Sequence, residues 1–216
     1  MIVSRTKRFV FVHVPKTAGK AVSAALDPHA SAGIVNPLHI HETLCDFYMR
    51  VRKEGKKPRL PFGKRSEADA SAEFADYFSF AFVRNPWDRV VSMFSFLQKA
   101  DLPETRGLEF GRFMHDLEHG AHYLQSIHNP RPQLDYITDY RRKIIVSEIG
   151  RFETLAEDFG RICDRLGIDV PLEKRNVSSH AHYTDYFDDR SRGFVANLYA
   201  EDISAFGYTF GADASQ

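Results

Sequence analysis

The segment HVPKTAGKA, at residues 13–21, contains residue types that bind a phosphate or sulfate group. Lys16 supplies a positive charge, Thr17 supplies a hydroxyl, and Gly19 lets the backbone approach an anion without a Cβ in the way. A turn between a strand and a helix N-terminus also directs backbone N–H groups and a partial positive charge at one point. The segment therefore predicts an anion cradle; an ordinary turn with a surface lysine is the alternative when the motif is taken alone.

A second segment, FAFVRNPWDRVVSMF, at residues 80–94, places an arginine where an apolar run ends. The guanidinium of Arg84 can bind a phosphate with two parallel hydrogen bonds. Taken alone, R-N-P-W is equally typical of a structural arginine at a strand exit. Both motifs follow apolar runs, so both are candidates for binding an anion.

The first motif is not a Walker A motif. In the pattern G-x-x-x-x-G-K-[ST], the first glycine would fall at Val14 and the magnesium-binding hydroxyl at Ala21. A magnesium-dependent nucleotide hydrolase is therefore disfavoured.

The elements that must position these loops alternate along the chain. Apolar runs at residues 9–14 and 78–83 predict strands, each followed by a helix, which starts at Ala21 in the first unit and at Pro86 in the second. Such alternation predicts an α/β fold, with a mainly parallel sheet flanked by helices. Three further predictions are a strand at residues 144–146, a helix at 154–166 that starts with a capping box of Thr154 and Glu157, and helical structure over 189–206.

Composition bounds the remaining possibilities. The chain has 216 residues, 43% of them hydrophobic, which predicts one domain over residues 1–216. Its 29 basic and 29 acidic residues cancel, so no general attraction to nucleic acid or to an anionic membrane is expected. Cys45 and Cys163 are too few for a disulfide scaffold or a cysteine-based metal site.

No signal peptide or anchor is recognisable, which favours the cytoplasm; the oligomeric state is open. The basic segment at residues 50–65 predicts a mobile loop.

At this point a family resemblance can be named. PKTAG after a strand and FAFVRNPWDRVVSMF resemble the two donor-binding motifs of sulfotransferases that use 3′-phosphoadenosine-5′-phosphosulfate (PAPS), in the branch of carbohydrate 2-O-sulfotransferases and bacterial relatives. The resemblance implies a P-loop-like fold, PAPS as donor and no metal. It extends to QLDYITD, IGRFETLAEDF, NVSSH and DISAFGY. The chain departs from the family at Lys20 and Ala21, where relatives usually carry Thr-Ser.

The resemblance also assigns roles to individual residues. Lys16, at the 5′-phosphate, would stabilise the leaving group as its charge develops. Arg84 and Ser92 would bind the 3′-phosphate of the donor. The first loop would hold the 5′-phosphosulfate through Lys16, Thr17, Ala18, Gly19 and Lys20. Arg175 and Ser178 are further candidate donor contacts, because His180 and His182 flank a segment that closes over the donor in relatives.

The catalytic base is expected to be a histidine, since imidazole titrates in the useful range and an acceptor hydroxyl must lose its proton. The pair His39 and His41, in NPLHIHETL, resembles the His-x-His pattern of the carbohydrate 2-O-sulfotransferases. His41 is the first choice and His39 the second. His115 and His119 are four residues apart and have the spacing of a metal pair on a helix, but a solvated helix face is the favoured interpretation.

Two alternatives stay open. One is a P-loop-type kinase or nucleotide-binding protein, which would depend on magnesium, and the other is a non-catalytic member of the fold that binds an anion or a partner. The acceptor is expected to bear a hydroxyl; a saccharide, a lipid head group and a small metabolite are all compatible. Phe47, Tyr48 and Tyr123 are candidates for stacking on a sugar, or else core residues, and Trp87 either stacks on a base or packs in the core.

Overall fold

The computed structural model describes residues 1–31, 42–55, 74, 76–100, 102–127, 130–173 and 181–212. Within these ranges a four-stranded sheet forms the centre of the molecule. The outer strand β1 runs antiparallel to β2, whereas β2, β3 and β4 are parallel neighbours. The strands are β1 (Ile2–Ser4), β2 (Phe9–Val12), β3 (Phe78–Val83) and β4 (Glu148–Arg151). The predicted class, an α/β fold with a mainly parallel sheet flanked by helices, is confirmed.

Helices follow the strands along the described chain. Their bounds are α1 (Gly19–Leu26), α2 (Leu44–Gly55), α3 (Pro86–Lys99), α4 (Phe110–Glu118), α5 (His122–Ile127), α6 (Leu134–Ile137), α7 (Leu155–Leu166), α8 (Asp189–Leu198) and α9 (Ala200–Phe206). None of the described helices has the length and apolar character needed to cross a bilayer.

Both faces of the sheet are buried, because successive side chains of a strand point to opposite sides. On one face, Phe9 and Phe11 of β2 and Phe80 and Phe82 of β3 form a cluster of rings with α1 and α7. On the other face, the small side chains between them, such as Val10, pack against α2 and α6. Each buried phenylalanine contributes about 1.5–3 kcal/mol, so the sheet is a rigid base for the loops at its edge.

The register of the parallel strands brings the two predicted anion-binding loops together. Val12, the last residue of β2, pairs with Ala81 of β3, two residues before β3 ends. The loop at residues 13–18 and the turn at Arg84 therefore leave the same edge of the sheet side by side. Ligands of open α/β sheets bind at this carboxyl edge of the strands.

Three local predictions were wrong. The run at residues 144–146 is not a strand of the sheet, because Ile145 donates its N–H to the carbonyl of Ile137, and the third parallel strand begins at Glu148. The capping box is absent, because the hydroxyl of Thr154 donates to Asp158, 2.9 Å away, instead of capping the backbone of α7. The predicted loop at residues 50–65 is wrong for its first part, since α2 continues to Gly55; residues 56–65 lie outside the described residues.

The contact between β4 and β3 generates a stability prediction. A Cβ added to Gly150 would lie 2.4 Å from Cε1 of Phe82 and 3.2 Å from Cβ of Asp158. Because Phe82 is fully buried, Gly150→Ala should lower the free energy of unfolding by about 1–3 kcal/mol. Chemical denaturation measures the change.

Gly160→Ala is the matched control. Gly160 lies inside α7, and a Cβ there would meet nothing within 4 Å. Alanine should therefore stabilise the protein by about 0.4–1 kcal/mol, by restricting the unfolded chain. Equal effects of the two substitutions would contradict the packing of Gly150 against Phe82.

Candidate functional site

The loop between β2 and α1 has the backbone conformation of an anion cradle. Lys16 and Ala18 adopt left-handed conformations, with φ of 69° and 64°, on either side of Thr17. When right-handed and left-handed backbone conformations alternate in successive residues, their N–H groups converge to form a concave nest that binds anions. The buried hydroxyl of Thr17 donates to the carbonyl of Val14, 3.0 Å away, which closes the loop on itself. In this conformation the Thr17 hydroxyl therefore stabilises the loop.

Gly19 is required for close packing within the protein. Its φ is not positive, so the left-handed bends are made by Lys16 and Ala18. A Cβ on Gly19 would lie 1.9 Å from Cδ2 and 2.0 Å from Nε2 of His13. The imidazole of His13 is buried and stacks on Phe11, with ring centroids 6.1 Å apart. Gly19 thus allows the first turn of α1 to pack against the end of β2.

Lys16 lies in an environment that disfavours its charge. Burial first, and then the like charges of Arg84, Lys20, Lys99 and Arg89, lower the pKa of its ammonium group from 10.5 to about 8. Its Nζ lies 4.6 Å from the centroid of the Phe96 ring, which partly compensates the lost hydration. Lys20, exposed on the first turn of α1, approaches the same ring, at 5.7 Å. This excess of positive charge favours an anion.

Arg84 connects β3, α3 and the loop. Its Nε donates to Asp88, 2.8 Å away, and its Nη2 forms an ion pair with the same carboxylate, also at 2.8 Å. Its Nη1 donates to the carbonyl of Lys16 at 3.3 Å, and Cζ lies 3.8 Å from the centroid of the Phe152 ring. Of the five N–H groups of a guanidinium, these bonds use three, which leaves two for a ligand.

Ser92 occupies the face of α3 that lies against the loop. Residues four apart follow one another along one face of a helix, so Asp88, Ser92 and Phe96 form a row. The first member of the row binds Arg84 and the last covers Lys16. Ser92 is buried, with 8% of its surface exposed. The helix therefore brings Ser92 beside both predicted anion-binding groups.

Sequence reasoning missed Gln133, which fixes the backbone of Arg84. Its side chain accepts from the N–H of Arg84 and donates to the carbonyl of the same residue, both at 2.8 Å. Gln133 is itself held by the buried Asp202, whose carboxylate accepts its backbone N–H at 2.7 Å. The stretch QLDYITD, which begins at Gln133, was the available signal, but only the fold shows what this glutamine contacts.

The other candidate residues are the aromatic side chains and the histidines named from the sequence. Trp87 is buried and donates its indole N–H to the carbonyl of Arg192, and Phe47 is fully buried, so both belong to the core. Tyr48 packs on Phe47, and the hydroxyl of Tyr123 donates to Asp116. The imidazoles of His115 and His119 stack, with ring centroids 4.1 Å apart. Outside the described residues lie His39, His41, Arg175, Ser178 and His180.

Two other observations delimit the site. Within the described ranges, no group of three or more His, Cys, Asp or Glu side chains is placed to hold a metal ion. A shallow cleft lies at the opposite, amino-terminal edge of β2 and β3, where Arg8, Tyr77 and Arg165 contribute to its lining. It is separated from Lys16 and Arg84 by the length of the strands.

The chain is similar to known proteins. A model of the sulfotransferase family matches residues 1–209. An uncharacterized protein of Archaeoglobus fulgidus is 29% identical over 111 residues, which cover 51% of this chain and 85% of that protein. The crystal structure of mouse sulfotransferase SULT7A1 complexed with PAP is similar with a TM-score of 0.47 and 16% identity, over 94% of this chain and 86% of that chain. The residues matched by the family model include both predicted anion-binding loops.

The desolvated ammonium of Lys16 generates a prediction about stability. Lys16→Met should raise Tm at pH 7 by about 2–4 °C, which is about 1 kcal/mol for a chain of this size, because methionine keeps the contact with Phe96 without a buried charge. The pKa of Lys16 is lowered in the folded state, so between about pH 8 and 10.5 the unfolded chain binds the extra proton and the wild type gains stability as pH rises. The difference in Tm should therefore shrink across that window.

Lys20→Met is the control, because the side chain of Lys20 is exposed. Its effect on Tm should be smaller. A Tm of Lys16→Met below that of the wild type at pH 7 would show that the positive charge of Lys16 stabilises the unliganded protein.

Proposed function

The chain belongs to the sulfotransferase family, and on that premise we propose that it transfers a sulfuryl group from PAPS to an acceptor hydroxyl, with the donor bound between the loop after β2 and the start of α3. The observation that carries this proposal is the convergence of the left-handed loop, Arg84 and Ser92 at one edge of the sheet. The two loops are distant in sequence, and each supplies groups suited to one end of a bisphosphorylated nucleotide.

We propose that residues 16–20 bind the 5′-phosphosulfate. The nest formed by Lys16, Thr17 and Ala18, the N-terminus of α1 and the ammonium groups of Lys16 and Lys20 all favour an anion at this position. Lys20 stands where family members usually carry a hydroxyl, so a charge replaces a neutral hydrogen-bond donor. The lowered pKa of Lys16 supports this role, since a bound phosphate would stabilise its protonated form.

Arg84 and Ser92 are the proposed contacts of the 3′-phosphate. Asp88 already binds two N–H groups of Arg84, and this fixes the plane of the guanidinium before a ligand arrives. The two remaining N–H groups and the hydroxyl of Ser92, on the adjoining face of α3, can then bind phosphate oxygens without reorganising the site.

The proposed reaction is an in-line displacement at sulfur. The acceptor oxygen forms a bond to sulfur while the bond from sulfur to the 5′-phosphate oxygen breaks, and the acceptor proton passes to a base, so the products are a sulfate ester and adenosine 3′,5′-bisphosphate (PAP). Lys16 is the proposed stabiliser of the charge that develops on the leaving phosphate. His41 is the proposed base, with His39 as its neighbour. Thr43, two residues after His41, is buried directly before α2 and accepts the N–H of Asp46, and Leu44 and Phe47 of α2 belong to one core cluster with Val14 of the loop.

The acceptor is proposed to be a hydroxyl-bearing small molecule, in particular a saccharide. The support is the His-x-His pattern at His39 and His41, which resembles that of carbohydrate 2-O-sulfotransferases. Because Phe47 is part of the core, it is not a sugar-stacking residue.

Donor recognition is tested by thermal shift with nucleotides. PAP should raise Tm more than AMP or ATP with magnesium does, because PAP alone carries both phosphates at the positions that the two loops bind. A larger shift with ATP and magnesium would favour a kinase.

Arg84→Lys and Ser92→Ala connect this result to the site. Arg84→Lys keeps the charge but loses the planar fork, so its preference for PAP over AMP should fall by about 1.5–3 kcal/mol. Ser92→Ala should lose about 0.5–1.5 kcal/mol, as expected for a neutral hydrogen bond. Unchanged preference in both variants would remove these residues from the 3′-phosphate site.

His41→Ala tests the base, once a saccharide acceptor has been found by screening with labelled PAPS. Turnover should fall by roughly 100-fold or more and the acidic limb of the pH–rate profile should disappear, because a general base must be deprotonated to act. The affinity for PAP should stay near that of the wild type. His39→Ala should be milder; wild-type turnover in both variants across pH would place the base elsewhere.

A further inference from the structure

Arg89 is a buried arginine whose contacts the proposed reaction does not explain. One residue after Asp88 on α3, it is 1% exposed. Its Nε donates to the carbonyl of Pro15 at 3.1 Å, and its Nη2 donates to the carbonyl of Arg131 at 3.0 Å. Its Cζ lies 5.6 Å from the centroid of the Tyr199 ring. Among the described residues, its buried Nη1 has no hydrogen-bond partner.

These surroundings do not stabilise a cation well. In the part of the chain that the structure describes, no carboxylate forms an ion pair with Arg89; the buried Asp202 is near enough to interact electrostatically with Arg89, but its oxygens accept the backbone N–H groups of Gln133 and Leu134. A buried charge that is bonded only to neutral carbonyls is costly, and an apolar side chain of similar volume is often as stable or more so. Stability alone therefore does not account for an arginine at this position.

The partner of Arg89 in the loop indicates what it does. Two consecutive carbonyls, those of Pro15 and Lys16, are bound by arginines: Pro15 by Arg89 at 3.1 Å and Lys16 by Arg84 at 3.3 Å. These oxygens belong to the two peptide planes that flank the Cα of Lys16. Peptide groups are planar, and the structure contains no cis peptide bond in its described residues, so fixing both planes fixes φ and ψ of Lys16.

That constraint is needed because Lys16 is left-handed. A non-glycine residue with φ of 69° is strained, and such conformations persist where the surrounding structure over-determines them. In a trans peptide the N–H of one residue points opposite to the carbonyl of the residue before it. Holding the carbonyls of Pro15 and Lys16 therefore also sets the directions of the N–H groups of Lys16 and Thr17, which belong to the nest.

We propose that Arg89 is a positioning residue of the donor site: by holding the Pro15 carbonyl from inside the protein, it keeps Lys16 left-handed and the nest open for the 5′-phosphate. The proposal rests on the proposed function of the loop. Under this proposal, three residues of α3 have different roles. Asp88 orients Arg84, Ser92 contacts the ligand, and Arg89 shapes the loop without contacting the ligand.

The test compares two nucleotides by calorimetry, with and without the 5′-phosphate. In wild type, PAP should bind more tightly than adenosine 3′-phosphate, because only PAP carries the group that the nest binds. Arg89→Met, which removes the donors and keeps much of the volume, should raise the Kd for PAP by 10-fold or more while the Kd for adenosine 3′-phosphate changes by less than twofold. Arg89→Lys, with a single donor head, should lie between the two proteins.

A matched control separates positioning from loss of stability. Met93, on the same helix, is fully buried in a core cluster with residues of α4 and α8, and no described residue of the loop at 13–18 belongs to that cluster. Met93→Ala should lower Tm and leave the ratio of the two Kd values as in wild type. If Arg89→Met does not fold, the same ratio in Arg89→Lys decides.

The outcomes distinguish the two proposals. A wild type that binds PAP no better than adenosine 3′-phosphate would contradict the function of the loop itself. A wild type with the expected preference, together with Arg89 variants that keep it, would overturn the role of Arg89 alone. Equal weakening of both nucleotides in the Arg89 variants would likewise show that Arg89 only stabilises the fold.

Discussion

The guanidinium of Arg84 is the interaction on which the arrangement of the site depends. It extends from the end of β3 and binds Asp88 of α3, the carbonyl of Lys16 in the loop after β2, and the ring of Phe152 just beyond β4. A single planar group with donors on several edges can make these contacts at once, whereas an ammonium group cannot. The two loops that the sequence separates by more than sixty residues thereby become one surface.

The candidate site concentrates positive charge, which lowers the stability of the unliganded protein. Lys16, Lys20, Arg84 and Arg89 lie close enough that burial and mutual repulsion lower the pKa of Lys16 to about 8. Asp88 offsets part of this charge but is itself engaged by Arg84. A bound nucleotide with two phosphates would relieve the repulsion. The same charges that destabilise the unliganded protein would therefore favour binding of the nucleotide.

The rest of the fold holds this charged edge in place. The phenylalanines of β2 and β3 bury one face of the sheet under α1 and α7, and the opposite face lies under α2 and α6. Gln133 then fixes the backbone at Arg84, and His13 fills the space next to Gly19 at the start of α1. Preorganised donors of this kind bind developing charge without reorganisation, which is what a transfer reaction requires.

The sequence by itself determined the α/β class, the helix that starts at Pro86, and the two loops that carry Lys16 and Arg84, because hydrophobic periodicity and the turn residues act locally. It predicted the third parallel strand at residues 144–146, whereas the strand is Glu148–Arg151. Ile145 bonds to Ile137, and the residues from Glu148 onward pair with β3. Which segment pairs with β3 is decided by the tertiary structure. Only the tertiary structure decided that Lys16 and Ala18, not Gly19, make the left-handed bends, and that Asp88, Arg89 and Gln133 hold the loop and Arg84. These roles depend on contacts between residues distant in the chain, whose geometry no local pattern contains.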